Sequence, residues 1–306
     1  MHTNSQVFPS EAYAWLGDQL GVKAHHIIMT RMQGSTSSSI FRVASVRDPA
    51  TPRGVLRVLD NKAWLDIEAD LAEHEAAALL AAAQAGLPAP RLIGFASYDA
   101  GFGAPVVLMT HIPGKVQLQP ACMDIWLKRL AAQLAGIHQY QAPRLNWRYR
   151  SWLDRRYLGV PAWAKQPYLW EKALRLLQAG EPAAYQVFIH RDYHPANVLW
   201  QSDQISGVVD WINACRGPAG VDLAHCRINL ALMYGYEVAE RFLKFYEERV
   251  PGFTYQPYWD IEAILGSCLP KLSYYAPWQE FGLPLIPMAV LRQRVEQHLT
   301  QVLQHG

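Results

Sequence analysis

Residues 187–211 constrain the chain more than any other stretch, because two short β-runs interrupt a half that otherwise reads as helix. Residues 198–200 and 207–209 are apolar, and Ser202-Asp203 between them has the composition of a tight turn, so the stretch predicts a small hairpin. Polar residues crowd its two ends. His190-Arg191-Asp192-Tyr193-His194-Pro195-Ala196-Asn197 leads in, and Asp210-Trp211 leads out. This layout offers a carboxylate, an amide five positions later, and a second carboxylate at the end of the next strand. Phosphoryl transfer calls for such a set. One carboxylate orients the acceptor hydroxyl and takes its proton, while an amide oxygen and a second carboxylate hold Mg²⁺ against the phosphates. Hard oxygen donors suit that ion.

The segment resembles the His-Gly-Asp-x-His-x-x-Asn signature of the aminoglycoside phosphotransferase/choline kinase family, distant relatives of the protein kinases. Arg191 replaces the usual glycine. His194-Pro195 and the ending Asp210-Trp211 are typical of the small-molecule group, where protein kinases carry Asp-Phe-Gly. The resemblance implies an α+β, bilobal protein-kinase-like fold. Its small N-terminal lobe is an antiparallel sheet with one long helix, and its larger C-terminal lobe is mainly helical. It also implies ATP- and Mg²⁺-dependent transfer of the γ-phosphoryl group to a hydroxyl of a small molecule, with GTP an alternative donor. In this reading Asp192 is the catalytic base, Asn197 and Asp210 are Mg²⁺ ligands, and His190 braces the loop. Asp222 corresponds to the family's second aspartate and anchors the loop backbone, or else sits as a helix N-terminal acid. His194 either fixes the loop or faces the phosphates.

The first half agrees with such a lobe. Residues 12–20 read as a helix capped by Ser10 and closed at Gly21. Strands are expected at 25–31, 40–46, 55–59, 91–95 and 105–109, and one alanine- and leucine-rich helix at 66–84. By resemblance the turn holding Gly34, Ser35 and Ser38 covers the phosphates. Arg57 stands where protein kinases carry lysine, with Glu75 as its partner and Glu68 or Glu73 as competitors. Met109, Thr110 and Ile112 form the adenine hinge. The nucleotide-binding lobe is expected over residues 1–111, and the helical lobe with the catalytic loop and acceptor pocket over 112–306. Helices are predicted at 123–140, 168–179, 221–234, 237–250, 258–272 and 288–304.

Composition narrows the alternatives. The net charge is +2 with no basic run, which argues against nucleic acid as a partner. The first residues lack the apolar core of a signal peptide, and no long uncharged apolar stretch follows, so no membrane role and a cytoplasmic location are expected. The four cysteines are too scattered for a zinc or redox motif. Acidic residues do not outnumber basic ones in 116–306, which weighs against a polycationic acceptor. Aromatics are abundant there and read mainly as core, while Asp260 and Glu262 are candidate pocket acids. A catalytically silent nucleotide-binding protein and a protein kinase are the competing readings. The intact Asp192–Asn197–Asp210 set opposes the first. The short distance from Asp210 to the helix expected at Val221 opposes the second.

Overall fold

The computed structural model describes residues 8–32 and 37–304, and its chain forms two compact units. The first comprises the chain up to Pro113 together with Gly207–Asn213, and the second comprises Gly114–Ser206 and Ala214–Gly306. Gly34 and Ser35 lie outside the described residues.

The first unit begins with α1 (Ser10–Leu20) and then β1 (Ile27–Arg31), β2 (Ser39–Ser45) and β3 (Asp48–Val58). After α2 (Lys62–Leu65) and α3 (Leu71–Gln84) come β4 (Leu92–Ala96) and β5 (Val106–Met109). The five strands form one antiparallel sheet in the order β1-β2-β3-β5-β4. Alternation along β3 sends Leu56 and Val58 into a core with Ala12, Tyr13 and Leu16 of α1 and Val106 and Leu108 of β5. Arg57 therefore points to the opposite face.

Three local expectations change. Pro9, not Ser10, occupies the N-cap of α1. β3 starts at Asp48 rather than near residue 55, so the proline-rich stretch is extended. There β3 pairs only with β2, because β5 reaches only Val55–Val58, and a strand with one open side tolerates proline. The helix expected from residue 66 divides. Asn61 caps α2 by accepting the Trp64 N–H, Asp66 closes it, and Asp70 takes the N-cap position of α3. Aspartate favours helix ends over interiors, which is why the break falls there.

In the second unit β6 (Lys115–Val116) precedes α4 (Met123–His138), α5 (Pro167–Gln178) and β7 (Gln186–Ile189). The hairpin follows as β8 (Val198–Gln201) and β9 (Gln204–Val208), joined at Ser202 and Asp203 with φ of 48° and 60°, the left-handed pair of a tight hairpin turn. β10 (Cys215–Pro218) pairs antiparallel with β7. Helices complete the unit: α6 (Ala219–Tyr234), α7 (Tyr236–Glu247), α8 (Pro257–Cys268), α9 (Pro277–Glu280) and α10 (Met288–Gln304). α6 is central, packing on α7, α8 and α10. Trp126, Trp170, Trp259 and Trp278 are buried, as the bland reading of the aromatics expects, but Trp152 is exposed. α8 stops at Cys268, short of residue 272, because Pro270 disfavours a helical Leu269.

Gly207 marks where the chain enters the first unit. A methyl group there would lie 2.6 Å from Ile112 Cδ1 and 3.2 Å from the Pro88 carbonyl oxygen, so any larger residue would force Ile112 to shift. Val208 then donates its N–H to the Pro88 carbonyl at 2.7 Å, and residues 211–213 pack on α3.

Candidate active site

The predicted nucleotide-side residues meet in the first unit around Arg57. Its Nε lies 3.0 Å from Glu75 Oε2, its Nη2 lies 2.8 Å from Asp210 Oδ1, and its Nη1 donates to Ser38 Oγ at 3.1 Å. Three nitrogens thus reach three separate partners, a geometry open to a planar guanidinium but not to a single ammonium. Glu75 is the partner, being fully buried in the second turn of α3. Burial pushes its carboxyl up to about 7, against the pull of Arg57 and with a further push from Asp210. Asp210 sits at φ 70°, a left-handed conformation that costs a non-glycine residue on the order of 1–2 kcal/mol. Met109 ends β5 and is buried. The Thr110 N–H is engaged by the Arg91 carbonyl at 2.8 Å, so only its carbonyl and the Ile112 backbone remain for the expected hinge role.

The catalytic-loop residues meet in the second unit. Asp222, fully buried in the first turn of α6, accepts the backbone N–H of His190 at 2.7 Å and of Arg191 at 2.6 Å. His138 Nε2 lies 3.2 Å from the same carboxylate. Asp222 is therefore the anchor of the loop backbone. His190 adds a brace by accepting the Asp192 N–H on Nδ1 at 3.3 Å. Tyr193 points into the core and donates to the Leu130 carbonyl at 2.9 Å. Held from both sides, the Asp192 carboxylate stays about a quarter exposed.

Asn197 donates Nδ2 to both the Asp192 carbonyl, at 2.9 Å, and Asp192 Oδ2, at 3.0 Å. That leaves the Asn197 amide oxygen as the atom suited to a hard cation. His225 Nε2 stands 3.0 Å from Asp192 Oδ1 and His194 Nε2 stands 3.8 Å away. Burial pushes the Asp192 carboxyl up, but the His225 hydrogen bond and the charges of His194, His225 and His190 outweigh it and hold Asp192 below the usual carboxylate range. The His194 ring also meets Tyr275 edge-on at 6.0 Å. Donor atoms of Asp192, His194 and His225 lie within 4.8 Å of one another, but two imidazoles suit zinc better than Mg²⁺.

His225 escaped the sequence reading. Its one signal was position: it follows Asp222 by three residues on α6, hence on the same helix face. Asp260, a candidate pocket acid, instead lies in a buried network, 3.1 Å from Arg227 Nε. Among the described residues no helix is long and apolar enough to cross a membrane.

Known proteins share the family and the fold of this chain. The family model described as "Phosphotransferase enzyme family" matches residues 34–258. A homoserine kinase of Methylocella silvestris is 32% identical over 140 residues, which spans 40% of this chain and 41% of that protein. Three solved structures share the fold. A candidate aminoglycoside phosphotransferase of Ralstonia eutropha superposes with a TM-score of 0.64 at 15% identity, covering 97% of this chain and 99% of that one. The macrolide 2'-phosphotransferase MphH of Brachybacterium faecium gives 0.57 at 16% identity, over 94% and 97%. A thermostable mutant of aminoglycoside phosphotransferase APH(4)-Ia, in ternary complex with ADP and hygromycin B, gives 0.58 at 16%, over 94% and 97%. With the family model spanning well over half its length, and a kinase-like fold carrying a histidine-held aspartate loop, the chain belongs to the phosphotransferase enzyme family.

Proposed function

We propose that the protein transfers the γ-phosphoryl group of ATP, in the presence of Mg²⁺, to a hydroxyl of a small molecule. The observation that carries this reading is the Asp192 carboxylate. It is kept ionised by His225 and His194, and it is carried on a loop whose backbone N–H groups are gripped by Asp222. The acceptor hydroxyl donates to Asp192, and its oxygen forms the new bond to the γ-phosphorus as the bond to the β–γ bridging oxygen breaks. ADP leaves, and the hydroxyl proton passes through Asp192 to solvent. A carboxylate held so acidic is a weak base. That suits a loose transition state, in which orientation counts for more than proton removal.

On the nucleotide side, Arg57 braced by Glu75 supplies positive charge for the α- and β-phosphates, and Ser38 lies within its reach. The turn residues Gly34 and Ser35 are proposed to cover the phosphates, and the Thr110 carbonyl and Ile112 backbone to meet adenine beside Met109. The oxygen donors of Asn197 and Asp210 fit Mg²⁺, since the Asn197 NH₂ is already committed to Asp192 and Asp210 is a carboxylate beside a cation. Bound there, Mg²⁺ would neutralise charge on the phosphate oxygens.

The test is an ADP-release assay with Mg²⁺·ATP over a panel of amino alcohols, hydroxy-amino acids, sugars, macrolides and aminoglycosides. Asp192→Ala serves as control. A reactive acceptor whose turnover falls about a thousandfold in the variant, with Mg²⁺·ATP binding retained, is the expected result. Equal turnover in Asp192→Ala would remove Asp192 from the chemistry. Failure to bind any nucleotide would refute the reading as a whole.

A further inference from the structure

A cavity of about 190 Å³ opens in the second unit one imidazole away from Asp192. His225 forms part of its wall and also touches the base carboxylate at 3.0 Å. An apolar cavity of about 150 Å³ accommodates benzene, whereas pockets for drug-sized ligands run from about 300 to 1,000 Å³. A cavity of this size therefore suits a molecule of roughly eight heavy atoms, not an oligosaccharide.

Two fixed charges of opposite sign line it, Arg191 and Glu262. Arg191 is buried, with its guanidinium 3.7 Å from the Trp152 ring centroid and 5.3 Å from that of Tyr149, and it donates to the Arg150 carbonyl. Stacking on an aromatic face holds the plane of a guanidinium while its donors stay on the rim, the arrangement that receives a carboxylate edge-on. Glu262, on α8, is half-buried and accepts the Tyr149 hydroxyl at 2.6 Å, which fixes its carboxylate. The Trp259 indole seats directly against Gly220, where any side chain would collide, so this wall is held in place too.

The backbone adds an independent observation. Arg191 has φ 68°, a conformation that glycine adopts freely and arginine does not. Carrying arginine there costs stability, and such conformations cluster at active sites and ligand clamps.

We propose that the acceptor is a compact alcohol bearing both a carboxylate and an ammonium group, with the carboxylate on Arg191 and the ammonium on Glu262. The proposal rests on the phosphotransfer reading above and narrows its acceptor. A polycation would meet the Arg191 charge, an amino alcohol would bring no anion to Arg191, and a neutral sugar would bring a charge to neither group.

The experiment measures calorimetric binding and ADP release with L-homoserine, L-serine and L-threonine. Two further ligands remove one group each from homoserine: aminopropanol lacks the carboxylate, and hydroxybutyrate lacks the ammonium. Hygromycin B is the bulky polycation. At least one hydroxy-amino acid should bind, and each truncated ligand should bind homoserine's site about tenfold to a hundredfold more weakly, as expected for one charge-assisted contact. Arg191→Gly should erase the discrimination between homoserine and aminopropanol. Glu262→Gln, which can still accept the Tyr149 hydroxyl, should erase that between homoserine and hydroxybutyrate. Equal affinity for homoserine and aminopropanol in the natural protein overturns the proposal. So does an undiminished preference in Arg191→Gly, or binding of no hydroxy-amino acid at all. Zwitterion binding without Mg²⁺·ATP binding or ADP release would instead overturn the phosphotransfer reading and leave the pocket standing.

Discussion

Glu75→Gln tests the nucleotide-side charge cluster most sharply. The carboxyl is fully buried, and burial raises it from 4.5 to about 7 despite the Arg57 guanidinium 3.0 Å away. A displacement of that size corresponds to about 3 kcal/mol. The folded protein holds this proton more tightly than the unfolded chain does. The neutral carboxyl therefore contributes stability that is complete below about pH 4.5 and is lost as pH rises through about 7. Glutamine carries no such titration. Relative to the natural protein, the variant should gain about 1 kcal/mol by about pH 5 and about 3 kcal/mol by about pH 8. Any packing effect of the amide adds a constant and leaves this difference intact. The same change removes the charge facing Arg57 Nε, and Mg²⁺·ATP affinity at about pH 8 should fall roughly tenfold. Urea denaturation of both proteins across this pH range, with nucleotide titration by calorimetry, gives both quantities. Parallel stability curves with no pH-dependent gap would refute the burial argument. An unchanged nucleotide affinity would refute the bracing role of Glu75.

Two other outcomes follow from the second unit. His225→Ala should raise the Asp192 carboxyl, because the lost hydrogen bond and charge both lower it, and so move the acid limb of the pH–kcat/KM profile to higher pH; an unmoved limb would separate His225 from the base. For Asp260, burial pushes the carboxyl up, while Arg227, His298 and Tyr255 outweigh it and hold it at about 2. Its stabilising contribution should be present above about pH 4 and fall away towards about pH 2, and Asp260→Asn should cost about 2 kcal/mol at neutral pH, since buried Arg227 keeps Glu240 as an acidic partner. Denaturation midpoints of the variant check the second figure, and a loss below about 1 kcal/mol would refute it.

What the sequence made legible was local or tied to spacing. The hairpin turn at Ser202-Asp203 and the run from His190 to Asn197 depend on neighbours in the chain, and the strands show their alternation. The division at residues 66–70 was missed because alanine and leucine dominate the surrounding composition and mask the preference of two aspartates for helix ends. His225 and the stacked Arg191 were beyond reach for a different reason. Their roles arise from contacts across the fold, between the catalytic loop and α6 and between that loop and residues 149–152, and no periodic pattern encodes such pairings. The acceptor cavity is the extreme case, since its walls come from four separated stretches of chain.

The passage of Gly207–Asn213 into the first unit has a consequence for how such a chain can be cut, made or recombined. A fragment ending near Pro113 would lack Asp210 and expose the surface of α3 on which Trp211 and Ile212, both almost fully buried, are packed. During synthesis the first unit must wait for nearly a hundred further residues before its last segment emerges from the ribosome. Exchange of modules between relatives faces the same barrier. A single crossover would separate Arg57 from the aspartate that pairs with it, so a working chimera needs three junctions, one after Pro113 and one on each side of this short returning segment.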